Sequence, residues 1–410
     1  MAKKFVLVFG PVARNFGGPC VLVSTRRVLS DRFPGAEFTL IAAEAKPEIQ
    51  KRNSERYDIA IVSPLETRAF YPRLFLTALL RRLTGRLWGS RAARDLVRAI
   101  AEADALIDMY GIAFADSLGL PTFIGRAREG VFYVIAKVLG KPVVKYTADL
   151  GPFEERWNRF FARLYLNRFV DLIITRGDDS RQRALDIGVK TKMVTCPDTA
   201  FLFEPAESDI SKRLAGYRRA GPVIGFAASF QARNRAASPE EYLRARTDLV
   251  RHIIGKLGAR VALIPNEIWD GPNDDLSLAE QVCAAVADER CEVIHTEDMT
   301  GQEIKGVIRE CDAVVSARYH TIVAALSMGI PTLAVSWHHK YHDVLQLFGQ
   351  EQWRLDAASV KAEELISKFD ALWSLREQLG RQIVEARPAV REAVHKGAEA
   401  VEELLREKRR

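Results

Sequence analysis

The sequence predicts an α/β protein of two Rossmann-like units, with parallel sheets facing a cleft, followed by a charged helical tail. Three observations predict it. Short, continuously apolar runs alternate with longer helical stretches, the pattern of strands buried on both faces by helices. The alternation breaks at the polar stretch Phe203-Glu-Pro-Ala-Glu-Ser-Asp-Ile210 and then starts again. At 410 residues the chain is also longer than one ordinary core supports. The implied domains are residues 1–205, 206–360 and a tail over 361–410.

The strands follow in order. Phe5–Phe9, Phe38–Ala42, Ile59–Val62, Ala105–Asp108, Pro142–Tyr146, Leu172–Thr175 and Lys192–Thr195 supply the first sheet. Val223–Phe226, Arg260–Pro265, Cys291–His295, Ala313–Ser316 and Thr332–Ser336 supply the second. Between Arg68 and Arg98 lie eight arginines, one acid (Asp95) and a series of leucines. That segment reads as a helix packing an apolar stripe on the sheet while arginine faces water. Its other reading is a basic amphipathic surface in peripheral contact with anionic membrane. Past residue 360, Lys361–Leu372 opens the tail and Pro388 divides the remainder. Arg391–Arg410 reads as a solvated amphipathic helix.

Composition narrows the class. Apolar residues make up 48% and charged residues 28%, ordinary for a globular chain. No uncharged apolar run reaches the ~18 residues that span a bilayer. Met1-Ala-Lys-Lys-Phe-Val-Leu-Val-Phe-Gly10 reads as a first buried strand, not a signal peptide. Five cysteines, widely spaced and without C-x-x-C, imply reduced thiols and a cytoplasmic setting. A net charge of +7 and a pI of about 9.1 suit an anionic small substrate or an anionic lipid surface. No nucleic-acid motif accompanies the charge, so nucleic acid is discounted.

The chemistry-bearing residues concentrate late in the chain. Four of the seven histidines fall between positions 320 and 342. Ser316-Ala-Arg318-Tyr-His320 joins a strand to a helix closed by Gly329. Free N–H groups and the helix dipole favour an anion there. Arg adds a bidentate clamp and His a proton donor near neutral pH. The alternative is an Arg paired with a nearby carboxylate and a His capping the helix. After the next strand come Trp337-His338-His339-Lys340, which would bring more positive charge to the same pocket. His338-His339-x-x-His342 is a possible metal-ligand set, but only Asp343 accompanies it as an acid.

In the first half, Arg176 ends a strand, free to face the cleft or to pair with Asp178 or Asp179. Asp179 or Ser180 can cap the following helix. Asp108 ends another strand. The glycine-rich turn holding Asn15 and Gly17 lacks both G-x-G-x-x-G and a P-loop, so no nucleotide fingerprint is present. Asp274-Asp275, in Gly-Pro-Asn-Asp-Asp, reads as a surface loop.

Together these residues resemble the polysaccharide pyruvyl transferase family. Ser316-x-Arg318-x-His320, Ala324-Ala325-Leu326-x-x-Gly329-Ile330-Pro331 and Lys340 are similar to its C-terminal motif. Arg176-Gly-Asp-Asp-Ser180, Gly188-Val and Cys196-Pro197-Asp198-x-Ala200-Phe201 are similar to its middle motif, and Gly151-Pro152-Phe153 to a shared turn. The chain departs from the family at Asn15-Phe16-Gly17-Gly18, where Asn-x-Gly-Asp is usual, and at Tyr110-Gly111, where paired glycines are usual.

The resemblance implies a GT-B-like fold, with the first domain on the acceptor side and the second on the donor side. It implies phosphoenolpyruvate as donor, a sugar or lipid-linked glycan as acceptor, a cyclic ketal product, and no metal or other cofactor. Arg318, Arg176 and Lys340 would then hold the donor, with Ser316, His338, His339, Asn15 and Gly17 also lining the substrates. His320 would be the general acid, and Asp108, Asp116 or His338 the base. The competing expectations are a GT-B glycosyltransferase or sugar-nucleotide epimerase, with Glu351 near the place of a ribose-binding carboxylate, and a non-catalytic member that binds an anionic sugar.

Overall fold

The structure, a computed structural model, describes residues 2–9, 15–42, 47–63, 70–114, 116, 130–269, 271–337 and 340–408. The chain forms two compact units. The first contains Met1–Ala13, Thr25–Asp198 and Ala393–Arg410, and the second contains Arg14–Ser24 and Thr199–Glu392. The expected partition is therefore corrected in two places. The segment of Asn15 and Gly17 groups with the second unit, and the tail is not separate but divides between both.

In the first unit the strands are β1 (Lys4–Phe9), β2 (Glu37–Ala42), β3 (Ala60–Val62), β4 (Ala105–Asp108), β5 (Ile112–Ala113), β6 (Val143–Leu150), β7 (Leu172–Thr175) and β8 (Lys192–Thr195). They make an eight-stranded sheet in the order β3-β2-β1-β4-β6-β7-β8, with β5 paired to β6. All the pairings are parallel. The second unit holds β9 (Val223–Ala227), β10 (Arg260–Leu263), β11 (Cys291–Val293), β12 (Ala313–Ser316), β13 (Thr332–Ser336) and β14 (Arg354–Asp356). Their order is β11-β10-β9-β12-β13-β14, again parallel throughout. Continuous apolar runs such as Leu172-Ile-Ile and Ala313-Val-Val end up buried, as strands covered on both faces must be.

Strand order reverses between β1 and β4 in one sheet and between β9 and β12 in the other. Such reversals open a crevice at the carboxyl ends of the strands. Asp108 ends β4 and Ser316 ends β12, so the strand-end residues singled out in the sequence stand at the two reversals.

The structure adds what the pattern did not show. β6 runs on to Leu150 through a register shift between Lys145 and Ala148, with Thr147 at φ 47°. The polar residues at this bulge disguise the second half of the strand. β5 and β14 are too short to carry a periodicity. The helix Asp178–Asp186 starts earlier than expected, with Gly177 as its N-cap, and the Ser180 hydroxyl accepts the Leu150 N–H at 2.7 Å.

The tail differs most. The helix Ala362–Ser374 buries Leu365, Phe369 and Leu372 in the core of the second unit. The helix Arg376–Val394 continues through Pro388, contrary to the expected division. Pro388 forfeits one backbone hydrogen bond, while burial of Leu379, Ile383, Val390 and Val394 keeps the helix intact. The last helix, Lys396–Glu407, is not solvated all round. It buries Val401, Leu404 and Leu405 in the first unit. Lys192 reaches Glu403 at 2.9 Å, and Lys408 reaches Asp171 at 3.1 Å. Among the described residues no helix is long and apolar enough to cross a membrane.

Gly397 sets how closely this helix approaches the sheet. A Cβ at that position would lie 2.6 Å from the Tyr146 hydroxyl and 3.3 Å from Cys196 Sγ. Gly397→Ala should lower stability by ~1–3 kcal/mol through overpacking, read from the urea midpoint. An unchanged midpoint would mean that the neighbours yield freely.

Asp171 gives a pH test. Burial opposes its charge, but Lys137 Nζ at 2.5 Å, the Val143 N–H at 2.8 Å and Lys408 hold the carboxyl below its usual range. A depressed acid stabilises the fold above its unfolded-state pKa and loses that contribution as pH falls through the folded one. Asp171→Asn should therefore cost about 1 kcal/mol at neutral pH. Its gap to the parent should close as pH drops below 3.8, measured by unfolding curves at stepped pH.

Candidate functional site

In the second unit the site grows from the end of β12. Ser316 is fully buried; its hydroxyl accepts the Arg318 N–H at 2.9 Å and donates to the Arg318 carbonyl at 3.0 Å. This loop makes Arg318 the N-cap of the helix Tyr319–Ser327, with φ −115° and ψ 121°. The hydroxyl is thus engaged with the backbone of Arg318 on both its donor and its acceptor side.

The Arg318 side chain is only 13% exposed. Nη1 donates to Glu267 Oε2 at 2.6 Å, and Nη2 donates to Asp275 Oδ1. Asp275 is buried at the start of the helix Asp275–Val286, whose N-cap is Asp274. Its carboxylate also accepts the N–H groups of Phe230 at 3.0 Å, Glu267 at 3.1 Å and Asn266 at 3.3 Å. Burial pushes the Asp275 carboxyl upward against the pull of Arg318. Burial also disfavours the guanidinium charge, but Asp275 and Glu267 outweigh it and hold Arg318 protonated. One expectation is corrected: the Asp-Asp pair is not a surface loop but is buried. For Arg318 the structure matches the alternative of an arginine paired with carboxylate, its fork gripping two.

The same loop gathers the N-terminal turn. Phe16 N–H donates to the Asn266 carbonyl at 2.9 Å, Asn15 forms an antiparallel bridge with Glu267, and Asn15 Oδ1 accepts the Gly17 N–H at 2.8 Å. Thr321 Oγ1 donates to Asn266 Oδ1 at 2.6 Å. The half-buried His320 imidazole lies directly on Gly17, where any Cβ would overlap it, and meets the Tyr319 ring edge-on at 5.3 Å. Lys340 is buried with Nζ 5.0 Å from the Trp337 ring, 5.1 Å from Tyr319 and 5.7 Å from Tyr341. Trp337 Nε1 and the Tyr341 hydroxyl both donate to the Ala317 carbonyl, at 3.2 Å and 2.7 Å. The second unit therefore brings together Asn15, Gly17, Ser316, Arg318, His320 and Lys340. His338 and His339 lie outside the described residues.

In the first unit Asp108 is buried and saturated. It accepts from Lys145 Nζ at 2.7 Å, from the Tyr110 N–H at 2.8 Å and from the Tyr133 hydroxyl. Three donors thus hold the carboxylate that was expected to serve as base, and they tie it to the strand ends around it. Arg176 is buried as well. Its Nε donates to the Thr147 carbonyl at 2.6 Å and lies 3.0 Å from Asp198, and its guanidinium covers Gly111. Its ion pair is with Asp198 of the Cys196-Pro197-Asp198 stretch, while Asp178 and Asp179 open the following helix. Asp116 accepts from Glu154 N–H at 2.5 Å, Glu155 N–H at 3.2 Å and Asn158 Nδ2 at 2.7 Å. It secures the entry to the helix Arg156–Phe169.

Sequence reasoning missed Glu267, Lys145 and Tyr133, and it placed Asp275 in a surface loop. Lys145 left one signal, a charge inside the otherwise apolar run Val143-Val-Lys-Tyr146. Asp275 left another, an acid opening an apolar helix. Glu267 left none.

A family model described as polysaccharide pyruvyl transferase matches residues 21–339. The chain is 22% identical over 298 residues to the amylovoran biosynthesis protein AmsJ of Erwinia amylovora, covering 70% of this chain and 69% of that protein. Among solved structures, Anabaena Alr3699/HepE in complex with UDP and glucose superposes with a TM-score of 0.64 at 15% identity, over 99% of this chain and 100% of that one. UDP-GlcNAc 2-epimerase from Neisseria meningitidis bound to UDP-GlcNAc gives 0.61 at 12% identity, over 98% and 100%. A Rickettsia africae glycosyltransferase gives 0.60 at 11% identity, over 99% and 98%. At these identities the structural likeness establishes a GT-B-like fold and nothing further.

Removing one member of a buried ion pair strands the other, at a cost of ~3–5 kcal/mol, while replacing both with apolar residues costs far less. Arg318→Met and Asp275→Leu should each destabilise strongly, and the double variant by much less than their sum. A urea double-mutant cycle reads this coupling; additive losses would show the pair to be energetically independent.

Proposed function

Because the chain belongs to the polysaccharide pyruvyl transferase family, a match that spans both units, we propose that it moves pyruvate from phosphoenolpyruvate onto a sugar as a cyclic ketal. Family membership makes it a polysaccharide-modifying transferase; donor and product are the finer reading. The observation carrying it is the His320 imidazole, half-buried beside the Arg318-capped helix start and pressed on Gly17. His320 donates a proton to the donor's methylene carbon, and positive charge develops at the adjacent carbon. One sugar hydroxyl adds there, phosphate departs, and a second hydroxyl closes the ketal. One hydroxyl proton leaves with phosphate, and the other, passed through solvent, restores the proton that His320 gave to the new methyl group. The helix start capped by Arg318 suits a donor that carries a carboxylate and a phosphate.

Arg318 enters this chemistry by exchange. Asp275 is buried under three backbone N–H groups and stays. The Glu267 side chain is 18% exposed and holds one guanidinium nitrogen. An oxyanion of the donor replaces that carboxylate with like charge and similar geometry. The acceptor is a sugar or lipid-linked glycan. The rival reading, a nucleotide-sugar enzyme, draws on the whole-chain likeness to structures holding UDP.

The test is phosphate release and ketal formation from phosphoenolpyruvate with a panel of glycans. His320→Gln should cut the rate by at least ~10²-fold while leaving the unfolding midpoint within about 1 kcal/mol of the parent. Turnover of a UDP-sugar without any turnover of phosphoenolpyruvate would overturn the reading.

A further inference from the structure

Two helices of the first unit carry arginine and no acid. Phe70–Thr84 holds Arg73, Arg81 and Arg82; Arg156–Phe169 holds Arg156, Arg159, Arg163 and Arg168. Each turns an apolar stripe inward. Phe70, Leu74 and Ala78 of the first, and Ala162 and Leu166 of the second, share one core with Val6, Leu106 and Ile173 of the sheet. Both helices therefore pack on the same face of the eight-stranded sheet, and their outer surfaces point away from it on the same side.

Those outer surfaces are not purely polar, as core-covering helices ordinarily are. Leu76 is 53% exposed, Leu83 72%, Phe160 62% and Leu164 50%, with Phe161 also exposed. On the second helix, Arg156, Phe160, Arg163 and Leu164 recur three and four residues apart along one exposed stripe. Large apolar side chains left in water beside arginine, with no carboxylate on either helix, mark a surface built for another phase. Scattered exposed leucines are ordinary; interleaving with arginine along two helices is not, and the nearest acids, Glu154, Glu155 and Asp95, lie off these helices, Asp95 being paired with Arg91 and Arg98.

We infer that this helix-covered face of the first unit docks on an anionic lipid bilayer. Leucine and aromatic side chains enter the headgroup boundary while guanidinium groups meet lipid phosphates, with the arginine stems lying along the apolar surface. The sign of the charge selects the occupant. A second copy of this chain would set arginine against arginine, whereas an anionic leaflet complements the whole stripe. Docking in this way would hold the chain at the surface where a lipid-linked glycan is presented.

Vesicle co-sedimentation of the full chain tests it, comparing phosphatidylglycerol-containing vesicles with phosphatidylcholine alone. Binding to the anionic vesicles should exceed binding to neutral ones by at least ~10-fold and weaken with salt. Phe160→Ser with Leu164→Ser, and separately Arg156→Gln with Arg163→Gln, should each lower it by ~10-fold or more. All four positions are exposed, so the unfolding midpoint checks that the fold is kept. Equal binding to both vesicle types, no binding, or a dimer that the apolar variant dissolves without any change in lipid binding would each overturn the inference.

Discussion

The second unit is organised around one buried carboxylate. Asp275 starts a helix, receives three backbone N–H groups from two different loops, and binds the guanidinium that caps a third element. Without it, the loop after β9, the loop after β10 and the helix after β12 would share no common anchor. Because Asn266 and Glu267 are held in that way, the N-terminal turn has a fixed edge to bridge, and Gly17 comes to rest under His320. The imidazole's position thus depends on an acid that belongs to another helix. A charge taken out of water is costly unless its remaining lone pairs are met, and here they are.

The same device recurs in the first unit. Lys145 with Asp108 and Arg176 with Asp198 are buried ion pairs near the carboxyl ends of parallel strands. Each uses a backbone carbonyl as well, from Tyr110 or Thr147, so the pairs fix main chain as much as side chains. Such pairs contribute little net stability against apolar replacements. Their return is geometry, since a sheet edge built from short loops would otherwise have many near-equal arrangements.

This explains which parts were legible beforehand. The expected strands were readable because parallel strands buried on both faces leave unbroken apolar runs, as in Leu172-Ile-Ile and Ala313-Val-Val-Ser. Arg318 and His320 were readable because a strand end followed by a helix start narrows where an anion can be met. What each side chain would pair with was not. Asp275 and Glu267 lie some forty to fifty residues from Arg318, and nothing local distinguishes a buried acid from one in a surface turn. The tail was misjudged for a related reason. A helix with charge on several sides looks solvated until the receiving surface is known, and for Lys396–Glu407 that surface is supplied by a strand more than two hundred residues earlier.

That last helix has a consequence for how the molecule comes into being. Tyr146 and Cys196 emerge from the ribosome long before Gly397, which packs against both. The first unit is therefore translated first yet completed last, and throughout synthesis of the second it carries an uncovered apolar flank. At a translation rate of about 5–20 residues per second, that interval lasts on the order of ten seconds or more. A nascent chain in that condition is a natural client for chaperones that shield exposed sheet faces.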